Sequence, residues 1–310
     1  MGGESNRGLS TEPREFETRL LDLTAELRLL GDKPEETPES TLRALWMTAA
    51  GSPMSAERAM KSRLPELDPA ASAKLDSLVS ARLSGTPLGH ITGRQAFMGL
   101  ELVVGSEALL PRKETEILAR AAQEIEAQLV EKRGRVVVVD TCCGSGNVAL
   151  ALAHSQPEAH VIGVDLSSDA VELARKNCTN LGLNGRAEFR VGDLLAPVAD
   201  LAGRIDLITC NPPYISSSKV EEMEGEISDF EPRMAFDGGP FGVKILRRLL
   251  KEGPPLLGPG GYLAFEVGLG QGDPILSQMK KSANFDVVEP IQDSSGSIRA
   301  VVARVVGRGR

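Results

Sequence analysis

Histidine, cysteine and uninterrupted apolar sequence are all scarce in this 310-residue chain. Four cysteines, Cys142, Cys143, Cys178 and Cys210, follow neither disulfide-framework nor zinc-ligand spacing, so no metal site is expected. No apolar run approaches the ~18 residues that span a bilayer. The polar stretch at residues 1–10 lacks the apolar core of a secretory signal. A reduced, cytoplasmic protein without a membrane segment is the expectation. Positive charge is also in deficit: 35 Lys and Arg face 43 Asp and Glu, a net charge of −8. That balance argues against tight binding to a nucleic-acid backbone, which needs clustered cations. The 32 glycines carry no G-x-y period, which excludes collagen. The chain is 41% hydrophobic, enough for a core, and its length predicts about two domains.

Residues 1–12 read as a frayed end. From about Pro13 to Ser84 apolar residues recur three or four apart, which predicts helices. Phe16, Leu20, Leu23 and Leu27 form one stripe, Leu42, Leu45, Trp46 and Ala49 a second, and Leu75, Leu78, Val79 and Leu83 a third. Breaks fall at Gly31 to Ser40 and Gly51 to Pro53. A small helical bundle follows, serving as a structural cap or as a surface for substrate. Phe97, Leu100, Leu102 and Val104 then suggest a strand pair turning at Gly99. A helix is predicted over Glu114 to Glu131. After it, strands and helices alternate. The strands fall at 136–139, 160–164, 187–191, 205–210 and 262–267, and the helices at 148–154, 168–177 and 243–250. Two late strands, 286–289 and 298–304, suggest an added edge hairpin. Such alternation predicts an α/β fold with a mostly parallel, doubly wound sheet. The β-branched run Val136 to Val139 suits a strand buried on both faces.

Two motifs sit where chemistry is expected. After the first strand comes Cys142-Cys143-Gly144-Ser145-Gly146, a glycine turn entering a helix, and Asp165 ends the next strand 19 residues beyond Gly146. Glycines let the backbone turn sharply and approach a ligand. A carboxylate at this spacing suits ribose hydroxyls. Gly144-x-Gly146-x-x-Ala149 also suits a dinucleotide, so an NAD-dependent oxidoreductase is a rival. However, no catalytic His or Tyr–Lys pair follows, and His154 and His160 read as surface residues. The second motif is Asn211-Pro212-Pro213-Tyr214, after the fourth strand. Ligands in open α/β sheets lie beyond the carboxyl ends of the strands. Two prolines remove two N–H groups and stiffen the segment, leaving carbonyl acceptors. Asn211 adds a side-chain carbonyl. Such a loop can hold a planar –NH₂ group by both its hydrogens, with Tyr214 against its flat face.

With both motifs in place, the chain resembles the class I methyltransferases that use S-adenosylmethionine, and among them the release factor glutamine-N5 methyltransferases. The resemblance runs from about Thr86 to Arg304. It is carried by Pro87-Leu88-Gly89-His90-Ile91-Thr92-Gly93 and by Pro111-Arg112-Lys113-Glu114-Thr115-Glu116. Glu231-Pro232, Asp237-Gly238-Gly239, Gly242, Glu266-Val267-Gly268 and Gln271-Gly272 add to it. It implies a Rossmann-like seven-stranded sheet over 111–310, a β linker over 86–110, and a helical domain over 1–85 that docks the substrate. It also implies S-adenosylmethionine on Cys142 to Gly146, with Asp165 at the ribose and Asp193 and Leu194 at the adenine. Asn211, Pro212, Pro213 and Tyr214 would hold the target amide, Asn211 also bordering the cofactor. The implied partner is a peptide chain release factor. The family's usual Gly-Thr-Gly-Ser-Gly is here Cys142-Cys143-Gly144-Ser145-Gly146, and the two thiols are expected to pack apolarly beside the cofactor. Leu194 stands where an aromatic is common. A small-molecule enzyme on the same scaffold is one alternative. A DNA adenine methyltransferase is another, but residues 1–88 hold eleven Lys and Arg against fourteen Asp and Glu. A pure binding module would not need both motifs.

Overall fold

The computed structural model describes residues 13–28, 33–222 and 230–306. The frayed end expected at residues 1–12 lies outside them, as do the first residues of the Gly31 to Ser40 break. The chain divides into two compact units, Met1–Thr92 and Gly93–Arg310.

The first unit contains α1 (Arg14–Glu26), α2 (Pro38–Ala49), α3 (Ala56–Met60), α4 (Pro69–Leu83) and α5 (Leu88–Thr92). The three predicted stripes correspond to α1, α2 and α4. The five-residue helices α3 and α5 are too short to show a period. Side-chain caps set the starts: Thr37 accepts from the Ser40 N–H and Asp68 from the Ala71 N–H, each followed by proline at the first helical position. Phe16, Leu23, Leu45, Trp46 and Leu75 are buried at the centre. The Trp46 indole packs edge-on to Phe16 at 5.8 Å and donates to the Pro65 carbonyl at 2.8 Å.

The second unit opens with a hairpin, β1 (Arg94–Phe97) and β2 (Leu100–Val103). Met98 and Gly99 both have positive φ, as a two-residue type I′ turn requires. The expected linker over 86–110 is thus divided between α5 and this hairpin. Next come α6 (Thr115–Arg133), β3 (Val136–Thr141), α7 (Asn147–Ser155), β4 (Ala159–Asp165), α8 (Ser168–Asn180) and β5 (Ala187–Val191). Then follow β6 (Ile205–Cys210), α9 (Ser217–Glu222), α10 (Lys244–Glu252), β7 (Leu257–Glu266), α11 (Gly272–Lys280), β8 (Phe285–Gln292) and β9 (Ile298–Val305). The sheet order is β5-β4-β3-β6-β7-β9-β8. β5 to β7 of that order run parallel, and β9 pairs antiparallel with both β7 and β8. This is the seven-stranded doubly wound fold with an edge hairpin. One apolar layer joins Val136 and Val138 to Leu118 and Leu150. The other joins Val139 and Ile208 to Leu249 and Phe265. Sequence order reverses between β3 and β6, which opens a crevice at their carboxyl ends.

Three elements of the second unit differ from the sequence reading: the short helix α9, whose six residues show no period, α11 and β7. α11 was not expected, because Pro274 and the flanking glycines mask its Ile275, Leu276 and Met279 spacing. Proline is tolerated there because the first turn of a helix needs no intrahelical donor. β7 begins at Leu257 rather than Tyr262, through a Gly-Pro-Gly-Gly stretch that reads as a turn and coincides with a register shift against β6. Among the described residues, no helix is long and apolar enough to cross a membrane.

Candidate active site

The carboxyl ends of β3, β4 and β6 border a cavity of about 650 Å³. On one side lies the glycine turn. The Gly144 N–H donates to Asp165 Oδ2 and the Ser167 N–H to Oδ1, both at 2.9 Å, while the Cys143 N–H donates to the Val164 carbonyl at 3.0 Å. The turn is therefore strapped to the end of β4 by backbone donors. Cys142, Cys143, Gly144, Asp165, Asp193 and Leu194 all line the cavity. Ser145 and Gly146 lie behind that wall. The Ser145 carbonyl accepts from Asn177 Nδ2 at 3.1 Å. A Cβ at Gly146 would come within 3.1 Å of both Ala174 and Phe189. Glycine stands at 146 so that α7 and α8 can pack closely on the sheet, and the residue faces the core.

Cys143 is buried, and desolvation, followed by the carboxylates of Asp165 and Asp140, pushes its thiol well above the usual range. It is a packing residue, as expected. Leu194, at φ +53°, is buried, and its carbonyl accepts from Thr141 Oγ1 at 2.9 Å. Asp193 is fixed by Arg248 of α10, at 2.8 and 3.0 Å. Beneath the turn sits Asp140, which the sequence reading left without a role. It lines the cavity and accepts from Thr209 Oγ1 at 2.7 Å and the Ala149 N–H at 3.1 Å. Burial raises its carboxyl to about 7, against those two hydrogen bonds.

Across the cavity is the Asn211–Tyr214 loop. Asn211 and Pro213 line the cavity; Pro212 and Tyr214 do not. Asn211 Nδ2 donates one of its two hydrogens to Thr115 Oγ1 at 3.1 Å, and Oδ1 is left as an acceptor. The Pro213 carbonyl lies against Gly238, where a Cβ would sit 2.5 Å from it. Tyr214 is held at both ends. Its hydroxyl donates to Glu114 Oε1 at 3.2 Å, and its carbonyl accepts from Gln271 Nε2 at 3.0 Å. Its ring abuts Gly268, where a Cβ would meet Cδ2 at 3.0 Å. Tyr214 thus braces the loop. Burial is the main reason its phenol is raised above the ordinary range.

Glu114 also pairs with Arg299 at 2.6 Å. Behind it Glu266 is buried, with neither oxygen hydrogen-bonded among the described residues. Burial, reinforced by Glu114, raises it to about 7, against the neighbouring hydroxyls of Thr115 and Tyr214 and the charge of Arg299. Arg112 pairs at 2.9 Å with the buried Glu231, which also accepts the Leu110 N–H at 2.7 Å. The sequence marked Pro111 to Glu116 as a signature but assigned none of its side chains. The partners of Arg112, Glu114 and Thr115 lie about 100 residues away or more, beyond the reach of any local pattern. Leu166 and Met234 also line the cavity, 59% and 48% exposed, and no spacing rule picks them out.

A strand–glycine-turn–helix with a carboxylate on the next strand, facing an acceptor loop on β6, defines an S-adenosylmethionine-dependent methyltransferase. Residues 132–266 match a methyltransferase domain family. The chain is 36% identical to the release factor glutamine methyltransferase of Geobacter sulfurreducens, over 77% of this chain and 80% of that protein. It is 34% identical to the same-named protein of Bradyrhizobium diazoefficiens, over 87% and 89%. The chain belongs to the release factor glutamine methyltransferase family. Among solved structures, the hMettl16 catalytic domain in complex with the MAT2A 3′UTR hairpin 6 aligns with a TM-score of 0.51. The identity is 12%, over 77% of this chain and 83% of that one, a likeness of fold alone.

Proposed function

We propose that the protein transfers a methyl group from S-adenosylmethionine to the side-chain amide nitrogen of a glutamine in a peptide chain release factor. The observation that carries this reading is the Asn211–Thr115 hydrogen bond. It takes one of the two Asn211 N–H donors, which fixes the amide's orientation, and leaves the side-chain carbonyl of a cavity-lining residue without a hydrogen-bond partner of its own among the described residues. A primary amide nitrogen is a poor nucleophile because its lone pair is delocalised. Acceptors that take its hydrogens turn that lone pair toward an electrophile, which is catalysis by positioning and preorganised electrostatics. The cofactor supplies that electrophile, a methyl group on a sulfonium. Its sulfide would be the leaving group, so the amide nitrogen need only be held in line with the methyl group. Transfer leaves the amide nitrogen positively charged and strongly acidic, and that cation loses a proton to water to give the neutral methylamide, so no strong side-chain base is required.

The residues fit the cofactor. The cavity wall at Cys142 to Gly144 is a backbone turn, Asp165 offers carboxylate oxygens for a ribose, and Asp193 and Leu194 offer a polar and an apolar contact for the adenine. The helical unit of residues 1–92 docks the partner protein. Mass spectrometry of release factors incubated with the protein and S-adenosylmethionine is the test. One added methyl group on a glutamine is expected. Release factors left unmodified, with efficient turnover of a free metabolite, would replace this reading with a small-molecule one.

A further inference from the structure

Gln271 ties together two tight turns beside the amide loop. In Gly239-Pro240-Phe241-Gly242, the Gly242 N–H donates to the Gly239 carbonyl at 3.0 Å. In Gly268-Leu269-Gly270-Gln271, the Gln271 N–H donates to the Gly268 carbonyl at 3.0 Å. The Gln271 side chain donates to the Tyr214 carbonyl at 3.0 Å and the Gly242 carbonyl at 3.3 Å, and it accepts the Gly268 N–H at 3.0 Å. Each turn carries one large apolar side chain at its tip. Phe241 is 79% exposed and Leu269 69%. No other large apolar side chain described in residues 93–310 is so exposed.

The fold gains nothing from burying either residue, yet both are held firmly. Proline fixes φ at position 240, and Gly270 has the φ of +81° that the third position of a type II turn needs. Gly242 lies so close to the amide loop that a Cβ there would fall 2.2 Å from the Tyr214 carbonyl oxygen. Rigid apolar tips lose little entropy when a partner covers them. The Phe241 turn also borders the cavity, since Pro240, next to Phe241, lines its wall, and Gln271 ties the Leu269 turn to it through the Gly242 carbonyl. A glutamine that reaches Asn211 from a protein chain brings its neighbours, about 3.5 Å apart per residue, over this rim. A small molecule inside the cavity would not touch it.

We propose that Phe241 and Leu269 form an apolar docking rim for the substrate protein, receiving an apolar side chain close in sequence to the target glutamine. The proposal rests on the protein-glutamine reading above. The experiment compares wild type with Phe241→Ser, Leu269→Ser and the double variant. Substrates are intact release factor and a short polar glutamine peptide, with binding of S-adenosylhomocysteine followed by calorimetry and mass by sedimentation. The expected result is a KM for intact release factor raised about tenfold or more in the double variant, the scale of an interface anchor. Turnover at saturation, the peptide rate and cofactor affinity stay close to wild type. An unchanged KM, beside a wild type that methylates release factor, overturns the rim alone. An equal loss on the polar peptide overturns it too, by making the turns part of the cavity. A wild-type dimer that the double variant dissolves, with KM unchanged, assigns the rim to a second copy and overturns the proposal. A wild type that methylates no release factor removes the protein-glutamine reading, and the rim with it.

Discussion

The Cys142–Gly146 turn and the Asn211–Tyr214 loop leave neighbouring strands, β3 and β6, yet they are held by different means. The turn is held largely by main chain and by what lies close in sequence. Its straps are the N–H groups of Cys143 and Gly144 on Val164 and Asp165, with the Asn177 amide on the Ser145 carbonyl. The loop is held by side chains from remote segments: Thr115 on Asn211, Glu114 on the Tyr214 hydroxyl and Gln271 on its carbonyl, with Arg299 behind Glu114. A site that binds a constant cofactor can rest on backbone geometry. A site that must set the orientation of one amide nitrogen needs its polar atoms aimed individually, and only side chains from several directions can do that.

The sharpest way to separate the two is Asn211→Ala. It removes the acceptor at the cavity and leaves the glycine turn untouched. Turnover on release factor should fall by roughly 10²–10³-fold, the usual cost of deleting one preorganised polar group at a reacting centre. Binding of S-adenosylhomocysteine, measured by calorimetry, should change far less. Near-normal turnover would take Asn211 out of the chemistry. The converse variant is Asp165→Ala, which cuts the strap on Gly144 as well as the carboxylate facing the cavity. Cofactor affinity should weaken by about 1–3 kcal/mol, the cost of unmade charged hydrogen bonds. Saturating cofactor should restore most of the turnover. A loss that saturation cannot repair would mean that the two regions are not separable.

The same division decides what could be read from the sequence. The glycine turn, Asp165 and the strand run Val136 to Val139 are local patterns, and each marks its element without outside help. Asn211-Pro212-Pro213-Tyr214 is equally visible as a motif. Its residues take their roles from their chemistry alone, and what that chemistry does not show is how Tyr214 is anchored, with its hydroxyl on Glu114 and its carbonyl on Gln271. Gly146 was assigned to the cofactor because glycine permits close approach, but the close approach is to Ala174 and Phe189. Glycine's permission is visible in a sequence; what comes close is not. Likewise Glu114, Thr115 and Gln271 look like any polar residues until the fold sets them beside residues 57 to about 185 positions away. α11 was missed for the opposite reason, since a proline tolerated in its first turn reads locally as a break.

Each region also buries one carboxyl raised to about 7, and these two test the comparison most finely. Asp140, under the turn, accepts two hydrogen bonds. Glu266, behind the loop, has no well-formed hydrogen bond to either oxygen among the described residues; the hydroxyls of Thr115 and Tyr214 lie beside it, and it faces Glu114. For both, the folded pKa lies above the ordinary carboxyl value, 3.8 for Asp140 and 4.5 for Glu266, so the folded state holds the proton more tightly than the unfolded one. Their contribution to stability is therefore fully present below the unfolded pKa. It is lost as pH rises through that value to about 7. Glu266→Gln keeps the shape and stays neutral, so it should gain on wild type across that window. The gain at pH 8 relative to pH 4 should be on the order of 1 kcal/mol, or about 2–4 °C in Tm for a chain of this size. Asp140→Asn should not gain in this way, because its amide replaces one acceptor with a donor facing Thr209 or the Ala149 N–H and leaves a buried bond unmade. Thermal melts of the two variants and wild type at pH 4, 6 and 8 read this directly. If the Glu266→Gln and wild-type curves run parallel across the three pH values, Glu266 is not a buried proton carrier. The contrast drawn between the two carboxyls would then fail.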